Sequence, residues 1–222
     1  CNDPLKYVRH PLVYLVEAAD DICYQIMDIE DAHKLKILSY KETKNLYLNF
    51  YDLVEDAQLL KGIKQTLKEV TDPNEQIAYL RAGVISLLVK NCVAAFMKNY
   101  ELIMNGEFDR SLMKDISPVA SSAMKEVIDV SVNRIYCHSS VIEIELAGYK
   151  IITTLLQHFT NALLNESNYG KKLLKLFPQQ FVSDKKDTYS QIQSVVDFVS
   201  GMTDVYALDL YRKITGIGLM GV

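Results

Sequence analysis

The chain has 222 residues, of which 49% are hydrophobic and 23% charged, so it is long enough to bury a full core and has the composition of a globular protein. Its formal net charge of −4 argues against a generally nucleic-acid-binding surface, although a local basic patch is compatible with it. The four cysteines (Cys1, Cys23, Cys92 and Cys137) form no Cys-x-x-Cys pair, so we expect reduced, mostly buried thiols in a cytoplasmic protein.

Helical periodicity dominates the sequence, and the most informative element is the first helix, which we predict over residues 11–28. Pro11 occupies a favoured first-turn position. Six acids and no Lys or Arg lie between His10 and His33. At about 100° per residue, a helix places four of these acids and a tyrosine along one stripe, opposite an apolar face. The acidic stripe consists of Glu17, Asp20, Tyr24, Asp28 and Asp31, and the apolar face of Leu12, Leu15, Ala18, Ala19, Ile22, Ile26 and Ile29.

The acidic stripe has two interpretations. Like charges at i,i+4 spacing destabilise a helix slightly, so four on one stripe suggest a compensating cation or base. The first interpretation is a solvated acidic face over which Tyr24 lies. The second is a metal or substrate site, because carboxylates suit Mg²⁺ or Mn²⁺ and a tyrosine one turn away can stack on a sugar or base. Periodicity alone does not decide between them.

The remaining segments predict an all-α, multi-helix fold, because strand-like alternation is scarce. The longest helix has a strong start signal, in which Asp72 is a capping residue and Pro73 the first helical residue. Its apolar run, residues 82–97, is shorter than the roughly 20 residues that span a bilayer, so we expect a buried helix and no membrane association. The predicted segments are a short helix over 30–38, a tyrosine-rich segment over 46–53, and helices over 56–69, 73–104, 117–136, 139–164, 170–176 and 188–214, the last bent at Ser200-Gly201.

Several single residues have competing interpretations. Arg81 stands in an otherwise apolar stretch, and we expect it to pair with a carboxylate rather than with substrate phosphate. We interpret Asp204 as a structural cap rather than a metal ligand. The only basic cluster is expected to be a solvated helix face, with a phosphate or single-stranded DNA contact as the alternative. This cluster consists of Lys171, Lys172 and Lys175, with Lys185 and Lys186 nearby.

Three segments carry family motifs. Residues 9–24 read Arg-His-Pro-Leu-Val-Tyr-Leu-Val-Glu-Ala-Ala-Asp-Asp-Ile-Cys-Tyr, residues 196–213 contain Gly-Met-Thr-Asp at 201–204, and residues 144–152 lie between them. The first resembles the last metal-binding motif of the dGTP triphosphohydrolases (dGTPases), which are HD-domain phosphohydrolases. The second is similar to the C-terminal signature of that family, although Val205 replaces a residue that is often polar in relatives. The third segment lies between the other two, in the order expected for that family.

The resemblance implies a reaction and a set of site residues. The family hydrolyses a deoxynucleoside triphosphate (dNTP) to a deoxynucleoside and triphosphate, with a divalent metal held by a histidine, a His-Asp pair and a final aspartate. By its place in the motif, Asp20 matches that final ligand of Mg²⁺ or Mn²⁺. Tyr24 and Asp28 match the residues that read the deoxyribose and its 3′-hydroxyl. Glu145 matches a glutamate near the nucleobase in some relatives.

The other metal ligands of the family have no counterpart in this sequence. The only histidine before Asp20 is His10, and no His-Asp dipeptide occurs anywhere. We therefore expect the C-terminal part of a longer enzyme, in which residues 1–38 are the last helices of the HD core and residues 39–222 a C-terminal helical region. One carboxylate does not hold Mg²⁺ or Mn²⁺ tightly, so we expect the isolated chain to be inactive.

Two other functions remain open at this point. The chain could be a non-catalytic helical binding or oligomerisation module, whose acidic stripe pairs with a basic partner. It could also be another HD-type nucleotide phosphohydrolase, against which the Gly-Met-Thr-Asp signature argues. The resemblance implies dGTP or another dNTP as substrate, and a homo-oligomer, because relatives form symmetric assemblies, often hexamers. Relatives can also bind single-stranded DNA or a regulatory nucleotide as effector.

Overall fold

The computed structural model describes residues 8–183 and 187–217, which form an all-α fold, as predicted. The chain divides into two compact units, the first ending at His138 and the second beginning at Ser139. Each unit has its own cluster of buried apolar side chains. Expectations for Cys1, Lys185 and Lys186 fall outside the described residues.

The first unit is built around two long helices, one carrying the acidic stripe and the other the longest apolar run. Its described elements are α1 (Pro11–Lys34), α2 (Tyr40–Leu48), α3 (Ala57–Glu69), α4 (Pro73–Lys98), α5 (Tyr100–Met104), a 3₁₀ turn (Leu112–Lys114), α6 (Pro118–Val130) and a π-helix (Ser131–Ile135). α1 packs along α4, and α2 and α6 contact α1. The shared core therefore fixes which face of α1 remains available to other molecules.

The starts of these helices follow the capping residues in the sequence. The Asp72 side chain accepts hydrogen bonds from the backbone N–H groups that open α4, and Ser117 does the same for α6. At the start of α2, Ser39 and Glu42 form a reciprocal capping box. These short-range signals explain why the predicted starts of α4 and α6 agree with the structure.

α1 continues to Lys34, so the predicted break between residues 28 and 30 is wrong. No glycine or proline interrupts this stretch, and Ile29 and Glu30 are both buried. The Glu30 carboxylate forms ion pairs with Arg81 of α4 and, at 3.2 Å, with Lys34. A buried carboxylate is tolerated when it is paired, so this pairing lets the helix run on through the core. It also confirms the expected carboxylate partner of Arg81.

The predicted helix over 73–104 is interrupted at Asn99, which separates α4 from α5. The backbone of Asn99 leaves the helical region at φ −103° and ψ 14°. Its buried side chain donates to the Ala95 carbonyl at 2.8 Å and to the Asp115 carboxylate at 2.9 Å. Asparagine side chains compete with helical backbone hydrogen bonds in this way, and here the partner comes from the loop after α5.

α4 is long and apolar enough, by length and composition, to cross a membrane. One of its faces, which includes Leu80, Val84 and Leu88, lies in the core of the first unit. Another face exposes Val89 and Val93. Because only 28% of its most apolar window is buried, the predicted burial of α4 is correct for one face and wrong for the rest of that window.

The second unit has a core rich in phenylalanine. Phe159, Phe177, Phe181 and Phe198 contact one another with ring centroids 5.0 to 5.8 Å apart, Phe198 touching the other three. Its described elements are α7 (Ser139–Leu164), α8 (Asn168–Leu173), two 3₁₀ turns (Leu174–Leu176 and Gln179–Phe181), α9 (Thr188–Ser200) and α10 (Asp204–Thr215).

The Gly-Met-Thr-Asp segment is a break between helices rather than a bend within one. α9 ends at Ser200, and the Thr203 hydroxyl caps α10 by accepting from the Tyr206 N–H at 3.3 Å. Asp204 is the first residue of α10, so Thr203 supplies the cap that we assigned to Asp204. The expectation of buried thiols is correct for Cys92 but wrong for Cys23 and Cys137, which are exposed.

Candidate functional site

Part of the charge on the acidic stripe is balanced within the chain. Glu17 forms an ion pair with Arg9, and the Asp31 carboxylate lies 3.4 Å from Lys34. Asp20, by contrast, is exposed and has no ion pair or hydrogen bond with any described residue. It is therefore the carboxylate of the stripe whose oxygens remain free for an external ligand.

Only part of the predicted apolar face of α1 is buried. Ala18, Ile22, Ile26 and Ile29 lie in the core as predicted, together with Tyr14. The prediction is wrong for the three other members of that face, which are exposed although Tyr14 in the first turn is buried. These exposed residues are Leu12, Leu15 and Ala19.

Tyr24 and Asp28 lie together with a third side chain, Tyr136, which follows the π-helix. The Tyr136 hydroxyl donates a hydrogen bond of 2.7 Å to Oδ2 of Asp28. The rings of Tyr24 and Tyr136 have centroids 6.2 Å apart and are tilted by 39°. Tyr24 is 55% exposed, whereas Asp28 and Tyr136 are half-buried. The three side chains form a partly open polar cluster, and Asp20 lies one turn before Tyr24 on α1.

The electrostatics of this cluster favour a neutral donor beside a carboxylate. Burial raises the pKa of Tyr136 well above its usual value, and the interactions with Tyr24 and Asp28 raise it further. Burial also raises the pKa of Asp28, whereas the hydrogen bond from Tyr136 lowers it and the charge of Asp31 raises it. Tyr136 therefore stays protonated at neutral pH and keeps donating to Asp28.

Tyr136 is a site residue that the sequence analysis missed. Its N–H donates to the Ser131 carbonyl, five residues back, at 2.9 Å, which closes the π-helix after α6. The extra residue in this turn changes the direction of the side chains that follow, so helical periodicity from α6 does not predict where Tyr136 lies. Such π-turns are frequent at functional sites, but nothing in the sequence marks this one.

Glu145, the predicted nucleobase contact, belongs to the second unit. It lies in the first half of α7, is exposed, and has no ion pair or hydrogen bond with any described residue. Its neighbours Ile144 and Leu146 are also exposed, at 73% and 64%. Of the predicted site residues, Asp20, Tyr24 and Asp28 therefore share one helix, whereas Glu145 lies in the other unit.

The lysine cluster of the second unit is exposed, as predicted for a solvated helix face. Lys171, Lys172 and Lys175 all face solvent, and Lys171 lies 3.9 Å from the Glu166 carboxylate.

The described residues do not form a metal site by themselves. Among residues 8–183 and 187–217, no group of three or more His, Cys, Asp and Glu side chains is arranged to hold a metal ion. The nearest acid to Asp20 along the chain is Asp21, whose pKa is raised by burial and by the charge of Asp20. Asp20 could thus supply one oxygen ligand to Mg²⁺ or Mn²⁺, but the remaining ligands are absent from this part of the chain.

The chain is similar to known proteins over nearly its whole length. It is 34% identical over 216 residues to a deoxyguanosinetriphosphate triphosphohydrolase-like protein of Synechocystis sp., covering 96% of this chain and 46% of that protein. A protein of the same name from Pseudomonas aeruginosa is 28% identical over 221 residues, covering 96% and 48%. A deoxyguanosinetriphosphate triphosphohydrolase of Cronobacter sakazakii is 28% identical over 255 residues, covering 95% and 49%.

The chain spans about half the length of the curated relatives it matches. Residues 114–213, which include α6 and the π-helix of the first unit and most of the second unit, match the phosphohydrolase-associated domain. The matches include the chain's motif in α1 and its Gly-Met-Thr-Asp segment, because they extend over almost all of the sequence. The predicted resemblance of this chain to the deoxyguanosinetriphosphate triphosphohydrolase family of HD-domain phosphohydrolases is therefore confirmed.

Proposed function

We propose that this chain supplies one part of the active site of a metal-dependent dNTP triphosphohydrolase, which converts a dNTP and water to a deoxynucleoside and triphosphate. The observation that carries the proposal is the surface of α1, where the unpaired Asp20 carboxylate lies one turn from the Tyr24–Asp28–Tyr136 cluster. The names of the relatives support dGTP or another dNTP as substrate. The part of the acidic stripe formed by Asp20, Tyr24 and Asp28 is then a metal and sugar site rather than a patch for a basic partner.

In this proposal, Asp20 is one ligand of a divalent metal whose other ligands lie outside the described residues. Its oxygens are free, whereas Glu17 and Asp31 of the same stripe pair with Arg9 and Lys34. A single carboxylate binds Mg²⁺ or Mn²⁺ weakly, so the isolated chain neither holds the ion firmly nor activates a water molecule. The chain therefore needs additional protein ligands for turnover.

Tyr24, Asp28 and Tyr136 hold the deoxyribose. The Tyr136 hydroxyl occupies Oδ2 of Asp28 and fixes the orientation of the carboxylate, which leaves Oδ1 to accept a hydrogen bond from the 3′-hydroxyl of the sugar. The exposed ring of Tyr24 offers an apolar face for the sugar to pack on. Glu145 contacts the nucleobase in the assembled enzyme, and further copies of the chain complete a homo-oligomer.

The direct test compares dNTP hydrolysis, with Mn²⁺ or Mg²⁺, by this chain and by a version extended upstream in its gene. We expect only the extended protein to release triphosphate from dGTP. Asp20→Ala should reduce that activity by more than about 100-fold, because even groups that merely orient metal ligands are worth about 10–100-fold.

The matched control is Asp31→Ala, which removes an acid of the same stripe that pairs with Lys34 and lies outside the motif. This variant should retain activity. Turnover by the isolated chain that disappears in Asp20→Ala would contradict its proposed inactivity. If neither protein hydrolyses any dNTP, the proposed enzyme function is wrong and a binding module becomes the better interpretation.

A further inference from the structure

A cavity of about 310 Å³ lies between α3 and α4 in the first unit, away from the acidic stripe. Leu59 and Ile63 of α3 and Leu80 and Leu87 of α4 form its apolar wall. Small-molecule sites have volumes of about 300–1,000 Å³, so this cavity suits a ligand at the small end of that range. None of its lining residues belongs to the site proposed above.

The first polar group in this cavity is the Tyr51 hydroxyl. Tyr51 is only 4% exposed, yet its hydroxyl makes no hydrogen bond with any described residue. Burial raises the pKa of Tyr51 to about 12, with smaller contributions from Tyr79 and Asp56, so the hydroxyl remains a neutral donor. The hydroxyl borders the cavity, so a ligand there can accept a hydrogen bond from it.

The Tyr51 hydroxyl can pack closely against α4 because residue 83 is a glycine. A Cβ atom added at Gly83 would lie 2.5 Å from the Tyr51 hydroxyl, which is closer than any real contact. Glycine in a helix interior reduces helix stability, and the close approach of the Tyr51 side chain is a physical reason for a glycine at this position.

Lys90 gives the cavity a cation that no acid neutralises. It lies on α4, lines the cavity, and forms no ion pair with any described residue. Helical side chains lean toward the N-terminus, so Lys90 leans over the preceding turn, which carries Ser86 and Leu87 of the lining. The one acid in the lining, Asp56, already accepts a hydrogen bond of 2.8 Å from the Asp52 N–H.

Of the two charged groups in the lining, Lys90 is therefore the one without a hydrogen bond or ion pair to a described residue. Asn91, the remaining amide of the lining, is occupied by the Leu87 carbonyl at 3.0 Å and the Ser117 N–H at 2.9 Å. We propose that this cavity binds a small organic anion, with an apolar body about the size of a phenyl ring and one carboxylate or phosphate group. The apolar body contacts the leucine and isoleucine wall, and Lys90 and Tyr51 donate to the anionic group.

The test is a methyl NMR titration of this chain with four probes. 3-Phenylpropanoate and phenyl phosphate carry the proposed body with a carboxylate or a phosphate, and their comparison identifies the preferred anion. 3-Phenylpropanamide lacks the charge and propanoate lacks the body. We expect one of the two aromatic anions to shift the methyl signals of Leu59, Ile63 and Leu80. Both incomplete probes should bind at least about tenfold more weakly, because the amide loses a hydrogen bond to a charged group and propanoate loses the burial of a phenyl ring.

Variants distinguish this site from non-specific binding. Lys90→Gln and Tyr51→Phe should each weaken binding of the preferred anion about tenfold. Lys98→Gln, which removes an exposed lysine from the last turn of the same helix, should leave it unchanged. Tyr51→Phe should not lower the melting temperature, because the hydroxyl has no partner to lose, so weaker binding in this variant cannot be attributed to unfolding.

Several results would overturn the proposal. One is the absence of methyl shifts with either aromatic anion up to about 10 mM, a range that covers the weak affinity of small fragments. Another is equal binding of 3-phenylpropanoate and its amide, or equal binding to Lys90→Gln and the unmodified chain. None of these variants alters Asp20, Tyr24 or Asp28, so the outcome is independent of the proposed hydrolase function.

Discussion

At the level of single residues, the cluster on α1 depends on one hydrogen bond between distant parts of the chain. Tyr136 comes from the end of the π-helix and Asp28 from α1, and the bond holds one carboxylate oxygen at 2.7 Å. Because this bond stabilises the charged form of Asp28, it opposes the rise in pKa that burial causes.

The first prediction concerns that carboxylate. Tyr136→Phe removes the hydrogen bond that lowers the pKa of Asp28, so the pKa should rise further above its usual value. The measurement is a pH titration of the Asp28 carboxyl carbon by NMR in this chain. Tyr24→Phe is the matched control, since Tyr24 interacts with Tyr136 through its ring and hydroxyl but makes no hydrogen bond to Asp28. An unchanged Asp28 titration in Tyr136→Phe would refute the assignment.

The second prediction concerns Gly83 and Tyr51, which form a steric pair. Overpacking by the added Cβ of Gly83→Ala should lower the free energy of unfolding by about 1–3 kcal/mol. The higher helix propensity of alanine should offset about 1 kcal/mol of that loss. In a Tyr51→Phe background the nearest remaining ring atom lies 3.9 Å from the added Cβ, so Gly83→Ala should become neutral or stabilising by up to about 1 kcal/mol.

Urea denaturation of the four proteins in this cycle measures the coupling between the two positions. Gly62→Ala in α3 is a control, because a Cβ there meets nothing within 4 Å. Equal effects of Gly83→Ala in both backgrounds would show that the close approach does not exist in solution.

At the level of elements, α2 is held at its start by a capping box that also reaches the π-helix. The Glu42 carboxylate accepts hydrogen bonds from the Ser39 hydroxyl and N–H, and it pairs with Arg134 at 2.8 Å. These bonds lower the pKa of Glu42 from 4.5 to about 2, with the Ser39 side chain contributing most. The cap therefore links α2 to the segment that positions Tyr136.

The third prediction is the pH dependence of this cap. The pKa of Glu42 is lower in the folded than in the unfolded protein, so its contribution to stability is present above pH 4.5 and is lost as the pH falls toward 2. Glu42→Gln should flatten the curve of unfolding free energy against pH in this window. Glu55→Gln, at an exposed residue without an ion pair, should keep the slope of the unmodified chain. The same slope in Glu42→Gln would contradict the prediction.

Elements also show what could be predicted from the sequence and what could not. Helix starts at Pro73, Pro118 and Ser139 agree with prediction because capping and proline signals act within a few residues. The continuation of α1 depends on the pairing of Glu30 with Arg81, and the interruption at Asn99 on Asp115. Both depend on contacts between separate elements, which periodicity does not contain.

The same distinction applies to the site. Helical spacing places Asp20, Tyr24 and Asp28 along one side of α1, and the structure agrees with that placement. Which acids of the stripe form ion pairs depends on Arg9 and Lys34, which pair with Glu17 and Asp31, and helical spacing alone does not show this. Tyr136 lies 108 residues from Asp28 and follows a π-helix, so only the folded structure reveals it.

At the level of the whole molecule, the separate cores of the two units lead to a fourth prediction. Phe198 contacts three other phenylalanines in the second unit, and Leu88 is fully buried in the first. Replacing either with alanine should cost about 2–5 kcal/mol. Because a cooperative unfolding unit is held together by its own core, the loss should fall mainly on the unit that carries the substitution.

Native-state hydrogen exchange checks this prediction. Phe198→Ala should lower amide protection in α7, α9 and α10, whereas Leu88→Ala should lower it in α1, α4 and α6. Uniform loss across both units in either variant would show that they unfold as one. In that case a substitution in the phosphohydrolase-associated segment of the second unit would also destabilise the α1 surface. Activity losses in the extended enzyme would then have to be corrected for the loss of stability before any residue of the second unit is identified as a substrate contact.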